Sequence, residues 1–159
     1  MKFKFILMVL LFFGFAVSQE VLLYNTNHLF KNSETILTDA NGKYYFEMVD
    51  VDTATSAEIT IRGGRNGDVR VSIWAHNVSG TLNLELQVGM KVADFGADSL
   101  DYSWISVTTI GSIDDQVTKT FLMTDFPEWV APIIAYKVRV ITSGIQQTQV
   151  KVNVLQYKR

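Results

Sequence analysis

Apolar and polar residues alternate one by one through most of the chain, and the pattern is clearest near its end. Over residues 135–142, Tyr136, Val138 and Val140 point one way while Lys137 and Arg139 point the other. After Ser143-Gly144 the alternation resumes, with Val150, Val152 and Val154 set against Lys151 and Asn153. A period of two is that of a half-buried β-strand, and two such runs around a Gly-containing loop predict an antiparallel hairpin. Valine faces of this kind need a second apolar surface, so the hairpin implies a sheet packed on another sheet.

The same reading extends along the chain. Val21-Leu22-Leu23-Tyr24 predicts a short first strand tucked against the body. Asp39-Ala40-Asn41-Gly42 predicts a turn, because Asn-Gly tolerates the positive φ that tight turns demand. Strands are expected over 43–49, 57–62, 69–76, 81–88, 102–110 and 117–124, with turn signals at 63–68, 77–80 and 111–116. The short connection at 77–80 predicts that 69–76 and 81–88 pair as a hairpin. Residues 125–132 hold both prolines of the chain, which removes ladder donors and predicts a loop crossing between sheets. No window shows a helical period. The expected fold is all-β: an antiparallel β-sandwich, jelly-roll-like, of about eight strands.

The start of the chain departs from this pattern. Lys2 and Lys4 precede an apolar run of 13 residues, 5–17, that ends in Ala16-Val17-Ser18. That is the layout of a secretory signal peptide, 1–18, and it is shorter than the roughly 20 residues of a membrane span. The expectation is a single domain, 19–159, with no stable membrane span after cleavage. Those 141 residues carry 12 basic and 16 acidic side chains, a formal charge of −4, which argues against nucleic acid as partner. The chain has no cysteine, so the domain relies on its core rather than on disulfides, and the balance points to a bacterial protein, secreted or at the cell surface. Asn77-Val78-Ser79 is a glycosylation sequon expected on an exposed turn.

Catalytic chemistry finds little support. The two histidines, His28 and His76, fall in different elements, and no serine stands in a G-x-S-x-G setting. The glycines at 63–67 lack the Walker spacing and its Lys-Ser/Thr. Asp94, Asp98 and Asp101 offer hard oxygen ligands of the kind calcium takes, but without the EF-hand spacing or its closing Glu. No other cofactor is implied. The tryptophans are candidates of a different kind: Trp74 on the outward side of its strand, Trp104 beside Tyr102, and Trp129 in the proline loop, each a stacking platform for a sugar ring if exposed. In the expected final hairpin Arg139 lies opposite Lys151, with Lys137 one pleat away. Like charges directly opposite cost up to about 1 kcal/mol. A neighbouring carboxylate (Glu85 is the outward candidate), a different register, or an anionic partner would resolve that conflict.

Together these features predict a non-enzymatic, exported β-sandwich acting by surface contact. The leading expectation is a cell-surface or extracellular structural or adhesion component, self-associating or holding a surface protein or polysaccharide through its edge strands, the 21–24 segment or the cationic residues Lys137, Arg139 and Lys151. The alternative is a carbohydrate-binding module that uses Trp74, Trp104 or Trp129.

Overall fold

The computed structural model describes residues 20–61, 68–92, 102–112, 116–129 and 133–158. Eleven strands are found among them: β1 (Glu20–Tyr24), β2 (Leu37–Thr38), β3 (Tyr44–Val49), β4 (Asp52–Thr55), β5 (Ile59–Thr60), β6 (Val69–Gly80), β7 (Leu82–Val92), β8 (Ser103–Ser112), β9 (Gln116–Leu122), β10 (Ile133–Thr142) and β11 (Gln146–Lys158). A single-turn helix, α1 (Thr26–Phe30), follows β1. One sheet runs β2-β3-β11-β6-β9, with β1 also paired to β11; the other runs β4-β10-β7-β8, with β5 also paired to β10. The expected β-sandwich is the observed one. β2 and β4, both missed from sequence, are too short for their alternation to register. The expected signal segment lies outside the described residues, among which no helix is long and apolar enough to cross a membrane.

Alternation works as expected in setting faces. Val69, Val71, Ile73 and Ala75 of β6 and Val150, Val152 and Val154 of β11 are buried against Leu82, Leu84, Leu86 and Val88 of β7 and Tyr136, Val138 and Val140 of β10. Full burial of such a side chain stabilises by about 1.5–3 kcal/mol, so this interleaved layer dominates the fold. The helix plugs one flank of it. Its N-cap Asn25 accepts from the His28 N–H at 3.1 Å, and the turn delivers Leu29 and Phe30 to the core, Phe30 lying 4.7 Å from Phe46 between ring centroids.

Pairing is where expectation and structure differ. β10 and β11 are not a hairpin: β10 pairs with β4, β5 and β7, whereas β11 pairs with β1, β3 and β6. The Ser143–Ile145 link is an arch from one sheet to the other. β6 and β7 are likewise separated, β6 pairing with β9 and β11 and β7 with β8 and β10. Facing strands across a core and paired strands within a sheet bury the same alternating residues, so alternation alone does not separate them. Two local features select the arch. Gly80, at φ 77°, passes so close to the arch that a Cβ there would collide with the Ile145 carbonyl oxygen. Buried Gln146 then clamps the crossing: its Nε2 donates to the carbonyls of Asn83 (2.8 Å) and Ser143 (2.7 Å), and its Oε1 accepts from Thr148 Oγ1 (2.9 Å) and the Asn83 N–H (3.2 Å). The sequon residues sit at the end of β6 rather than on a turn, at a register shift that leaves Val78 as the extra, exposed residue.

Where an edge strand breaks, a hydroxyl takes over the ladder. β1 and β3 share one side of β11 but leave Val152 between them; Thr26 Oγ1 accepts from the Val152 N–H (2.9 Å) and donates to its carbonyl (3.0 Å). Ser56 does the matching work on β10 between β4 and β5, its Oγ accepting from the Val138 N–H at 2.9 Å while its own N–H donates to the Val138 carbonyl at 2.8 Å. Buried backbone groups left unpaired are costly, which explains these two buried hydroxyls.

Candidate functional site

The outer face of the β4-β10-β7-β8 sheet carries a cluster of aromatic and charged side chains. Gly89 of β7 stands level with Lys137 of β10 on one side and Trp104 of β8 on the other. With no side chain on Gly89, the indole of Trp104 lies flat on the strand: a Cβ at Gly89 would stand 2.9 Å from each of three ring carbons, Cδ2, Cε2 and Cε3. One ring face is therefore taken by backbone. The guanidinium carbon of Arg139 lies 3.8 Å from the ring centroid and so covers the other face. Tyr102 stands alongside, 6.0 Å from Trp104 between centroids, with the Lys137 ammonium 4.7 Å over its ring.

Hydrogen bonds fix this cluster from below. Arg139 donates through Nε (2.9 Å) and Nη2 (2.5 Å) to Gln87 Oε1, and Gln87 Nε2 donates to Glu85 at 2.8 Å. Bonds from Gln87 and then Ser106, with the Arg139 charge adding to them, hold the Glu85 carboxyl below its ordinary range, so it is ionised at neutral pH. The Tyr102 hydroxyl donates to Glu58, which also meets Lys91 at 3.8 Å. Burial, followed by the Glu58 bond and charge, raises the Tyr102 phenol above its ordinary value, so it remains a neutral donor.

The opposite outer face, that of the β2-β3-β11-β6-β9 sheet, has a similar pair with a different charge balance. The Lys151 ammonium lies 4.2 Å over the Trp74 ring and is bonded at 2.5 Å to Asp39. That bond, then the backbone N–H of Lys43, brings the Asp39 carboxyl down to about 2. Beside them His76 meets Gln149 at 3.4 Å, and Gln149 donates to Glu47 at 3.2 Å. A groove of about 320 Å³ opens between β1 and β3, with Leu23, Asn25, Tyr44 and Asn153 among its walls.

The sequence-predicted residues are thus redistributed. Lys137 and Arg139 share a face, but Lys151 is on the far side of the sandwich, because its strand belongs to the other sheet. The expected like-charge pair does not arise: Arg139 is level with Gln87 and Thr55, and Lys151 with Trp74. Glu85 does border Arg139, as expected from its outward position. Trp74 and Trp104 are half-buried on opposite faces. Trp129 is not a platform: it is 3% exposed and packs edge-on against Tyr136 inside the core, at 5.7 Å between centroids. Asp94, Asp98 and Asp101 lie outside the described residues. Gln87, Gly89, Lys91 and Glu58 were missed. Gly89 left a readable signal, since a glycine on the outward side of an alternating strand marks a close approach.

No family model matches the chain, and no curated protein matches it in sequence. Solved structures do resemble it. The chain is similar to the N-terminal endo-1,4-β-D-xylanase 10B modules (a family 22 carbohydrate-binding module joined to a family 10 glycoside hydrolase module) of Clostridium thermocellum, complexed with xylohexaose, at TM-score 0.55 and 14% identity over 89% of this chain. It spans only 29% of that longer protein. It also resembles a xylan-binding module of family 15 (TM-score 0.52, 14% identity, 87% of this chain and 97% of that one). A third match is a family 11 carbohydrate-binding module of C. thermocellum in complex with a β-1,3-1,4-mixed-linked tetrasaccharide (TM-score 0.50, 12% identity, 89% of this chain and 91% of that one). Identities this low establish a shared β-sandwich fold and nothing finer.

Proposed function

We propose that this chain is a non-catalytic, exported carbohydrate-binding domain that holds a polysaccharide on the outer face of the β4-β10-β7-β8 sheet. The observation that carries the reading is the Trp104 indole held flat between Gly89 and Arg139. This is a rigid floor on which hydrogen-bonding groups are already placed, so little side-chain ordering remains to be done on binding. Tyr102 extends the floor, while Arg139 and Lys137 supply donors for hydroxyls. An aromatic base with a few fixed polar groups is the usual make-up of a small-ligand site. The resemblance to carbohydrate-binding modules supports the same reading at the level of fold.

The test is binding of the purified protein to a panel of plant and bacterial polysaccharides by affinity electrophoresis or calorimetry. Trp104→Ala removes the floor and frees Arg139, so the ligand must then order that side chain itself; an immobilised long side chain costs about 0.5–1.5 kcal/mol, roughly 2- to 13-fold in Kd. Trp74→Ala, on the far face, is expected to leave binding unchanged. The reverse outcome would move the site to the other sheet.

A second reading, that of a structural or adhesion component acting through self-association, is favoured by one pole of the sandwich. Ile145 (86% exposed), Val51 (76%), Val49 (55%) and Val78 (46%) gather around the arch there. Concentration-dependent sedimentation would support it.

A further inference from the structure

We infer that the polysaccharide held by this face is an acidic one, recognised through sugar carboxylates (uronate groups) by Arg139 and Lys137. The inference rests on the proposed carbohydrate-binding role of the face and narrows its ligand class.

The two outer faces supply the comparison. Both stack a cation on a tryptophan, but on the far face Lys151 is neutralised by Asp39 at 2.5 Å. On the β4-β10-β7-β8 face, neither Arg139 nor Lys137 has a salt-bridge partner among the described residues. Of the nearby carboxylates, Glu58 is committed to Lys91 and the Tyr102 hydroxyl, while Glu85 accepts from the amide of Gln87 and borders Arg139 without forming a salt bridge to it. A neutral amide, Gln87, positions the guanidinium without discharging it.

The geometry of Arg139 narrows the chemistry further. Gln87 occupies the Nε/Nη2 side of the fork, which leaves the Nη1/Nη2 end for a second acceptor. A planar carboxylate fits that end through two parallel N–H···O bonds. The outward face of the Trp104 ring is already covered by the guanidinium, so a neutral sugar must displace Arg139 to stack there. A uronate meets the guanidinium edge as it stands. Lys137 lies two residues along the same strand face, roughly 7 Å away, and offers a second cation to the same or the next anionic sugar. The 19–159 chain carries a formal charge of −4, yet this sheet presents side by side two cations that have no salt bridge among the described residues.

The experiment compares three probes on the purified protein by calorimetry at low salt: glucuronoxylan, the same polymer after chemical reduction of its carboxyl groups, and an unsubstituted neutral xylan. The expected result is at least tenfold tighter binding of glucuronoxylan than of its reduced form, with the difference collapsing in 0.5 M NaCl. Arg139→Gln is expected to abolish the preference and Arg139→Lys to retain part of it. Lys151→Gln, on the opposite face, is expected to leave the preference intact. Should Arg139→Gln fail to fold by circular dichroism, Lys137→Gln serves as the second variant, with a severalfold loss of preference expected. Equal affinity for native and carboxyl-reduced polymer overturns the inference while leaving the carbohydrate-binding reading standing. Binding to none of the three, repeated with a polyuronate such as pectate, overturns the inference, and the carbohydrate-binding reading falls with it only if the wider polysaccharide panel is also not bound.

Discussion

Gly89→Ala tests whether the site is built as described, because it inserts a single carbon under the indole. The added Cβ would meet three Trp104 ring carbons at 2.9 Å. Favourable carbon–carbon contact begins near 3.5–4.0 Å, so the ring must lift by about 0.6–1.1 Å. It cannot do so freely, since Arg139 sits 3.8 Å from the ring on its other face. Overpacking of this kind costs about 1–3 kcal/mol, while replacing a strand glycine by alanine gains about 0.5–1 kcal/mol from backbone entropy. The net expectation is a destabilisation of about 0–2.5 kcal/mol, or a fall in Tm of up to about 10 °C at this chain length. The diagnostic measurement is a double-mutant cycle. In a Trp104→Ala background the clash vanishes, so Gly89→Ala is expected to stabilise, with a coupling of about 1–3 kcal/mol between the two sites. Urea denaturation of the four proteins reads the cycle, and tryptophan emission reports the lifted indole. If Gly89→Ala raised stability equally in both backgrounds, the indole would not rest on this strand and the preorganised floor would be lost as an argument.

Two further predictions address the frame around the site. Gln146→Leu keeps the volume of the buried side chain but strands the Asn83 and Ser143 carbonyls, the Asn83 N–H and the Thr148 hydroxyl; about 2–4 kcal/mol is expected from unsatisfied groups at this partly buried arch, read as a lower urea midpoint at constant m. A near-neutral result would mean that two other bonds suffice to hold the crossing: the Asp50 N–H to the Gln146 carbonyl (2.8 Å) and the Thr142 hydroxyl to the Asp50 carbonyl (2.8 Å). Asp39 supplies a pH signature: its carboxyl lies at about 2 in the fold against an ordinary 3.8, so its contribution is fully present above about pH 4 and is lost as pH falls toward 2. Asp39→Asn is expected to flatten that part of the Tm profile between pH 5 and 2, and parallel profiles for the two proteins would refute the linkage.

The faces of the strands were readable in the sequence because burial has the same period as the pleat. Val150, Val152 and Val154 are buried as their alternation required, and Trp74 and Arg139 are on outer faces for the same reason. Strand partners were not readable, because a hairpin and an arch bury the same residues. The one local sign was polar: Thr142, Gln146 and Thr148 fall on the inward parity of β10 and β11 yet are not apolar. Buried polar side chains need partners, and here the partners are the backbone groups exposed by a chain that leaves one sheet for the other.

The cationic residues show how the misassigned partner spread to the site. Placing β10 beside β11 made Arg139 and Lys151 a repulsive pair that called for an explanation. In two separate sheets they do not interact, and the meaningful comparison becomes which cation carries its own counter-charge. Lys151 has Asp39, from the turn before β3, whereas Arg139 has an amide and an indole. Sequence patterns report a residue's face but not its neighbours across strands, and charge balance is a property of those neighbours. For the same reason Gly89 carries more information about this site than any of its charged residues. A glycine is unfavourable in the middle of a strand unless something must come close, and at this position that something is the ring on which Arg139 is held.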